Sequence, residues 1–380
     1  MNTCKNYITL VCTILFVVSG CIEPYQPPPI LEDVDILVVD GYLNSTDGSA
    51  TVRLTHANTL SNQNKPEPEQ NAAVAIRTED GSSYPLIEQD SGTYILTGLN
   101  IDPAAQYQLS VRTSDEEEYL SDYVPIKQSP AIDSITWEAE DDGVNILVNA
   151  HDATGSTRYY RWDYVETWQY HAAISSDFIL IDKQPVYRAD SDRIYTCWRT
   201  VPSTKISIAS SIRLAEDVIR DYPITFLSKG SSKVSVKYSI LVKQRAISKA
   251  EFDFWGQLKK TTEDVGGLFD PLPSQVPGNI HNLSNPSAPV LGYFSAGAAY
   301  EARFFLSYYD LPDHLRKPSR ETGCTPDTIM LADLQNLLGS EIIGTAVYSG
   351  PFVIGYTRSS PRCADCRVQG GTVKKPAFWP

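Results

Sequence analysis

The sequence predicts a mostly β protein in two parts, with one or two short helices. The chain has 22 tyrosines and only 2 methionines, and aromatic side chains suit pleated sheets better than helical bundles. Apolar residues alternate with polar ones over many short stretches, and turn-forming pairs such as Asp80-Gly81 separate these stretches. Apolar residues at helical spacing are confined to a few segments.

Residues 1–20 predict a secretory signal peptide. Lys5 supplies a positive charge, and an apolar run follows at Ile8 to Val18. That run is too short for a membrane span, which needs about 20 residues. The sequence Val18-Ser19-Gly20-Cys21 is typical of a bacterial lipobox, in which the Cys21 thiol takes a diacylglyceryl group. An ordinary secretory signal that happens to contain a cysteine is the alternative.

Residues 21–33 predict an extended tether, because prolines dominate the stretch after Cys21. No second apolar run approaches the length of a membrane span, so the lipid on Cys21 is the predicted anchor. Glu23 and Glu32 make the tether acidic. In some outer-membrane systems such residues direct export to the cell surface.

Residues 34–128 predict an immunoglobulin-like β-sandwich. Tyr107, Leu109 and Val111 alternate with polar neighbours, which is the period of a half-buried strand. The stretch 99–109 also resembles a tyrosine corner, in which a tyrosine hydroxyl bonds to the backbone a few residues upstream. A plain strand tyrosine is the alternative at this position.

Residues 129–380 predict a larger β-sandwich-like domain that ends in a disulfide-bearing C-terminal tail. The stretch 127–130 is the candidate linker, and Val234 to Val242 alternate cleanly as a strand. A helix is predicted near 248–264. There Ser248 and Glu251 have the spacing of a capping box, in which each side chain bonds the backbone N–H of the other residue.

Five aromatic residues at period two form a candidate binding face: Tyr160, Trp162, Tyr164, Trp168 and Tyr170. An exposed row of this kind would offer stacking surfaces to sugar rings or peptides. Burial in a sandwich core is the alternative, and it is favoured because aromatic side chains dominate cores and soluble proteins rarely expose large apolar patches.

Four cysteines remain once Cys21 and the two in the signal peptide are set aside: Cys197, Cys324, Cys363 and Cys366. An even number in an oxidising compartment predicts two disulfides, with three possible pairings that the sequence does not separate. A zinc site or a redox-active Cys363–Cys366 pair are the alternatives.

The composition argues against several classes of function. The net charge of -14 repels phosphate backbones, so nucleic acid is not an expected partner. The five histidines are scattered, and the sequence lacks a GxSxG elbow and a phosphate-binding glycine loop. We therefore expect no enzymatic activity, no metal and no cofactor.

Several motifs of the C-terminal half carry a family resemblance: Cys197-Trp198, Ile208 to Asp217, Gly266 to Pro271, Val276 to Ile280, Val290 to Phe294, and Cys363 to Thr372 with Lys375-Pro376 and Phe378-Trp379. They resemble a family of Bacteroidota outer-membrane lipoproteins catalogued as domain of unknown function 4249. The resemblance implies a lipobox, an N-terminal immunoglobulin-like domain and a larger β-rich remainder. It also implies association with TonB-dependent transporters, and it brings no catalytic residues.

The predicted function is that of a lipid-anchored outer-membrane protein, facing the cell exterior, that binds cargo as a non-enzymatic accessory of a TonB-dependent barrel. A standalone surface adhesin or structural lipoprotein is the first alternative. A hydrolase with an unrecognised site is the second. The sequence does not identify the cargo.

Overall fold

The computed structural model describes residues 36–57, 66–263, 278–316, 323–337 and 341–380. The predicted signal peptide (1–20), the anchor Cys21 and the tether (21–33) lie outside these residues. Strands make up most of the regular structure of the described part. The predicted mostly β fold class is confirmed.

Two sheets pack face to face as the N-terminal sandwich. The first sheet contains β1 (Ile36–Asn44), β2 (Ser49–Ala57), β3 (Glu67–Pro68), β6 (Ile87–Asp90), β7 (Thr93–Leu96) and β21 (Leu291–Gly297). The second contains β4 (Ala73–Thr78), β5 (Ser83–Pro85), β8 (Gln106–Arg112), β9 (Glu118–Ser121), β10 (Val124–Pro125) and β20 (Ile280–Asn282). The strand orders are β21-β1-β2-β7-β6 and β20-β9-β8-β4-β5, with β3 beside β2 and β10 beside β8.

Local sequence explains the geometry of this sandwich. Leu109 and Val111 alternate inward along β8 and are buried in the shared core, as strand periodicity requires. The Tyr107 hydroxyl accepts a hydrogen bond from the Asp102 amide (2.8 Å) and contacts the Asp102 carbonyl oxygen at 3.2 Å. This is the tyrosine corner that the sequence predicted. Gly81, at φ +88°, forms the predicted turn between β4 and β5.

Two strands of the N-terminal sandwich come from far downstream. β21 pairs in parallel with β1, and β20 pairs antiparallel with β9. The predicted boundary between 34–128 and 129–380 is therefore wrong for residues 280–297, which belong to the first sandwich. The physical reason is that β1 and β9 would otherwise be open sheet edges with unpaired backbone groups. Phe294 and Ile280 also complete its core.

The motif Val290 to Phe294 has a structural role at this junction. Gly292 adopts φ +144°, and a Cβ at this position would lie 2.1 Å from the Val39 carbonyl oxygen. Only glycine permits this close approach of β21 to β1. The Asn279 side chain bonds both backbone groups of Phe294, donating to the carbonyl oxygen and accepting from the amide, each at 2.8 Å.

Two further sheets form the second sandwich. One contains β11 (Ile132–Ala139), β12 (Gly143–His151) and β18 (Val218–Ser228), in that order. The other contains β13 (Tyr159–His171), β16 (Thr196–Pro202), β17 (Ser207–Ser210), β19 (Lys237–Ala246) and β22 (Ala299–Ser307). Its order is β16-β13-β19-β22, with β17 also paired to β13. The candidate linker at 127–130 is bonded to both sandwiches: the Lys127 amide donates to the Ala296 carbonyl of β21, and Gln244 Nε2 of β19 donates to the Pro130 carbonyl, each at 2.9 Å.

A third, smaller sheet contains β23 (Asp327–Met330), β24 (Ile342–Ser349) and β25 (Phe352–Ser359), with β25 in the centre. The hairpin of β14 (Phe178–Ile181) and β15 (Gln184–Tyr187) packs on it. The Phe178 ring meets the Tyr356 ring edge-on, with centroids 4.9 Å apart.

The predicted helix is present as α1 (Lys249–Thr262). The Ser248 hydroxyl accepts from the Glu251 amide at 3.0 Å, so half of the predicted capping box forms. The other half does not, because the Glu251 carboxylate is buried and instead accepts from Trp255 Nε1 and Ser295 Oγ, both at 3.2 Å. Burial raises the pKa of Glu251.

The second helix is one turn long, α2 (Pro361–Ala364). Short 3-10 turns occur at Asp190–Asp192, Ser232–Val234, Tyr308–Asp310, Leu331–Asn336 and Cys366–Gln369. Among the helices of the described ranges, none has the length and apolar character needed to cross a bilayer.

Candidate functional site

The predicted aromatic binding face is not at the surface. All five side chains of the row are buried, at 0 to 5% exposure: Tyr160, Trp162, Tyr164, Trp168 and Tyr170. They lie in the core of the second sandwich, because the sheet β11-β12-β18 covers this face of β13. The Trp162 ring stacks on Tyr222 of β18 at 4.6 Å. Burial is therefore the correct alternative, and this row is not a ligand platform.

The four cysteines form two disulfides, Cys197–Cys366 and Cys324–Cys363. Cys363 and Cys366 pair with different partners, which contradicts the redox alternative. The zinc alternative also fails here, because all four sulfurs are used in disulfides. Within the described ranges, no three metal-ligating side chains converge.

A cleft of about 470 Å³ opens between β16, the segment that precedes it and the C-terminal residues. We call it the tail cleft. Its lining mixes hydroxyl groups, charged groups and aromatic rings. The lining residues are Ser175, Ser176, Asp177, Tyr187, Arg188, Asp190, Ser191, Arg193, Tyr195, Thr196, Trp198, Val373 and Lys374.

Covalent and backbone bonds hold one wall of the tail cleft in place. The backbones of Trp198 and Thr372 exchange two hydrogen bonds of 2.8 Å each. The Cys197–Cys366 disulfide lies next to this bridge in the sequence, and the Tyr170 hydroxyl donates to the Cys366 carbonyl at 2.7 Å. The C-terminal residues are thus fixed against β16 and form a rigid side of the cleft.

In the same wall, the backbone of Gly371 passes close to Tyr170 and Cys197. A Cβ on Gly371 would lie 2.3 Å from the Tyr170 hydroxyl oxygen and 3.0 Å from Cys197 Cβ. Gly370, just before it, adopts φ +81°, a conformation that glycine reaches without strain. The Gly370-Gly371 pair in the C-terminal motif therefore lets the chain pass over the disulfide.

Arg188 is a buried cation in the lining, with 8% of its surface exposed. Its Nε donates to Ser176 Oγ at 3.0 Å, and its Nη1 contacts the Asp192 carbonyl oxygen at 3.4 Å. Burial and the positive charge of Arg367 lower the pKa of its guanidinium, and they outweigh the carboxylates of Asp365 and Asp192, which act to raise it. Arginine nevertheless remains charged in proteins. A buried charge is costly unless it is paired.

Aromatic residues give the tail cleft an apolar contact surface. Tyr187 and Tyr195 expose 60% and 36% of their surfaces. The ring of Tyr195 is held by stacking on His171, with centroids 4.6 Å apart. The indole Nε1 of Trp198 is buried, and no described residue accepts a hydrogen bond from it. Aromatic walls with a few fixed polar groups are the usual composition of small-molecule sites.

The other charged side chains that line the tail cleft differ in their contacts. Arg193 pairs with Asp190 at 2.8 Å, with both side chains largely exposed. The Asp177 carboxylate accepts from Ser175 Oγ at 2.8 Å. Lys374 is exposed. This arrangement provides donors and rings for holding a ligand.

A second groove, of about 500 Å³, lies on the N-terminal sandwich. Its lining includes small residues such as Ala73 and Ala75 and the cation Arg112, which pairs with Glu116. Arg112 is exposed, so its charge is hydrated. The tail cleft is the stronger candidate because its arginine is buried.

The residues that form the tail cleft were not predicted from the sequence. Arg188, Trp198 and Tyr195 lie in the stretch 171–203, whose sequence lacks strong periodicity although it contains β14, β15 and β16. The sequence signal for a binding site in this stretch is an arginine next to a tyrosine, Tyr187-Arg188. This signal alone does not identify a site, because the C-terminal residues that complete the cleft are far away in the sequence.

Comparison with known families gives one match. A family model described as Domain of unknown function (DUF4249) matches residues 22–303. This is the family that the motifs predicted, although the motif at Cys363 to Trp379 lies beyond the matched stretch. No curated protein matches the chain.

Three solved structures align weakly with the chain. A two-domain fibronectin type III segment of chicken tenascin aligns at 11% identity over 55% of this chain and 90% of its own, with a TM-score of 0.15. The Yersinia pseudotuberculosis adhesin InvE aligns at 14% identity over 55% and 54%, with a TM-score of 0.14. A DUF3823 family protein of Parabacteroides merdae aligns at 8% identity over 56% and 92%, with a TM-score of 0.15.

Proposed function

The chain belongs to the DUF4249 family, and we propose that it is a lipid-anchored outer-membrane protein that binds a ligand for a TonB-dependent transporter. The lipobox ending at Cys21 supports the anchor. Two β-sandwiches with separate buried cores provide a framework for the non-enzymatic binding role that we propose. Cell-surface exposure and the transporter partnership follow from the family resemblance.

The buried Arg188 in the tail cleft is the observation that carries the binding role. Arg188 is 8% exposed, and no carboxylate of the described residues forms a salt bridge with its guanidinium. Burying a charge without a salt bridge is costly. A charged group of this kind in a cleft marks a candidate binding site. The surrounding wall is fixed by the Cys197–Cys366 disulfide, so the site is largely preformed.

The hairpin of β24 and β25 supports contact with a protein partner. Tyr348 and Phe352 lie at the end of this hairpin and expose 62% and 72% of their surfaces. Large aromatic side chains are enriched in protein interfaces. We propose that this hairpin contacts the transporter barrel.

Copurification tests this proposal. Affinity-tagged full-length protein, extracted from its native membranes in a mild detergent, should recover a TonB-dependent barrel that mass spectrometry identifies. The double variant Tyr348→Ser/Phe352→Ser should lose the barrel. Ile87→Ser is the matched control, because Ile87 is 75% exposed on the N-terminal sandwich. Recovery of no barrel, or equal recovery with the double variant, would contradict the transporter contact.

A standalone adhesin is the second candidate, favoured by the same exposed Tyr348 and Phe352. It predicts that no barrel copurifies and that cells lose attachment to a defined surface when the double variant replaces the natural protein. Attachment assays on whole cells, run beside the copurification, separate the two candidates.

A further inference from the structure

The hydrogen bonds of Arg188 leave most of its donors free. A guanidinium has five N–H donors, and two of them make the contacts with Ser176 and the Asp192 carbonyl. Five minus two leaves three N–H groups without an acceptor in the described part of the chain. The side chain is more than nine-tenths buried and lines the tail cleft.

The carboxylates of Asp365 and Asp192 lie near enough to Arg188 to act on it electrostatically. The Asp192 carboxylate accepts from Ser191 Oγ at 3.3 Å. Asp365 accepts from Arg367 through Nε at 2.9 Å and Nη2 at 2.7 Å. In the lining itself, Asp190 pairs with Arg193 at 2.8 Å. Within the described ranges, no carboxylate forms an ion pair with Arg188. Its charge is therefore available to a ligand.

The other residues that line the tail cleft favour a negatively charged organic ligand. Three cations (Arg188, Arg193 and Lys374) face two carboxylates (Asp177 and Asp190), so the lining sums to +1 in a chain whose net charge is -14. The buried indole N–H of Trp198 has no partner among the described residues. The exposed tyrosine rings and the serine and threonine hydroxyls suit a ring that carries hydroxyl groups.

We infer that the tail cleft binds an acidic saccharide, with the carboxylate or sulfate group of the sugar on the guanidinium of Arg188. The planar guanidinium forms two parallel hydrogen bonds with such oxyanions. The sugar ring lies against the aromatic wall, where its C–H faces contact Tyr187 and Tyr195. This inference deepens the proposed function and rests on its binding role, but it does not depend on the transporter partner.

Calorimetric titration of the full-length lipoprotein in detergent tests the inference at constant ionic strength. Glucuronate and a sulfated monosaccharide should bind, and neutral glucose should not. Sodium sulfate alone should compete with glucuronate but bind more weakly, because it lacks the ring contacts. If glucose binds as well as glucuronate, or if sulfate alone binds as tightly as any acidic sugar, the inference is overturned.

Variants locate the site. Arg188→Gln should weaken glucuronate binding about tenfold or more, the size expected for a lost charge-assisted hydrogen bond. Arg53→Gln is the control, because it removes an exposed arginine of the N-terminal sandwich that lines neither groove. Unchanged glucuronate affinity in folded Arg188→Gln would overturn the assignment.

A second variant covers the case in which Arg188→Gln does not fold. Lys374→Glu changes an exposed side chain of the lining, so it should leave the melting temperature unchanged and weaken glucuronate binding severalfold by reversing a charge. Unchanged affinity in this variant would also overturn the inference. Acidic-sugar binding without a copurifying barrel would contradict only the transporter partnership, whereas a barrel without acidic-sugar binding would contradict only this inference.

Discussion

The Tyr170 hydroxyl donates a 2.7 Å hydrogen bond to the Cys366 carbonyl oxygen, across 196 positions of sequence. Both residues are buried, and Cys366 is also bonded to Cys197 on the strand that pairs with the Tyr170 strand. This contact joins the core of the second sandwich to the C-terminal residues. It therefore connects the stability of the core to the geometry of the tail cleft.

Tyr170→Phe should destabilise the protein by about 1–2 kcal/mol, because it leaves a buried carbonyl without its donor. Urea-induced unfolding measures the change. Tyr309→Phe is the matched control, since Tyr309 is 79% exposed, and it should have no measurable effect. Equal stabilities of the two variants would show that the Tyr170 bond contributes nothing.

The two disulfides should contribute unequally to stability. Cys197–Cys366 closes a separation of 169 residues and Cys324–Cys363 one of 39, for which chain entropy predicts about 5 and about 4 kcal/mol. Cys197→Ala/Cys366→Ala also leaves a cavity in the main core. Its melting temperature should therefore fall further than that of Cys324→Ala/Cys363→Ala. The reverse order would contradict this ranking.

Gly371→Ala and Gly256→Ala should have opposite effects. A Cβ on Gly371 meets the Tyr170 hydroxyl oxygen at 2.3 Å, whereas one on Gly256 in α1 meets only Ile208 Cδ1 at 3.7 Å. Gly371→Ala should thus lower the melting temperature. Gly256→Ala should raise stability by about 0.5–1 kcal/mol, because alanine favours the helix. Thermal melts of both variants measure this, and a tolerated Gly371→Ala would refute the close approach.

Asp152→Asn should reveal a pH-dependent contribution to stability. Burial acts to raise the pKa of Asp152, but hydrogen bonds from Thr154, Thr157 and Ser156 outweigh it and hold this pKa well below its usual value. The lowered pKa means that the carboxylate stabilises the fold above about pH 4, the pKa of an unfolded aspartate, and that this stabilisation is lost as the pH falls towards the folded-state pKa.

The natural protein should therefore exceed Asp152→Asn in stability by about 1 kcal/mol at pH 7, and the gap should narrow below pH 4. Urea midpoints at pH 7 and pH 3 measure it. Asp141→Asn is the control, because it removes an exposed charge and keeps the Asp152 hydrogen bonds. A gap that is the same at both pH values would rule out the linkage.

Local signals in the sequence predicted local structure well. Tyr107 forms its corner, Gly81 forms its turn and Ser248 caps its helix, because each of these features depends on neighbours a few residues away. The burial of Glu251 was not predictable in this way. Its partner Ser295 belongs to a strand 44 residues further along, and only tertiary packing brings the two together.

Contacts between residues far apart in the sequence could not be predicted. The return of β21 to β1 places residues of the late chain in the first sandwich, and no periodicity in either segment specifies the other. The tail cleft could not be predicted for the same reason, since most strands of the second sandwich lie between Arg188 and Lys374 in the sequence. The aromatic row of β13 was visible in the sequence, but the sheet that covers it was not.

The anchor on Cys21 is the claim on which the location and the transporter partnership depend, and it lies outside the described residues. Mass spectrometry of the N-terminal peptide from membrane-extracted protein tests it most directly. The account predicts a mature chain that starts at Cys21 and carries a diacylglyceryl group on its thiol. A mature chain that starts at any other residue, or an unmodified Cys21, would contradict it.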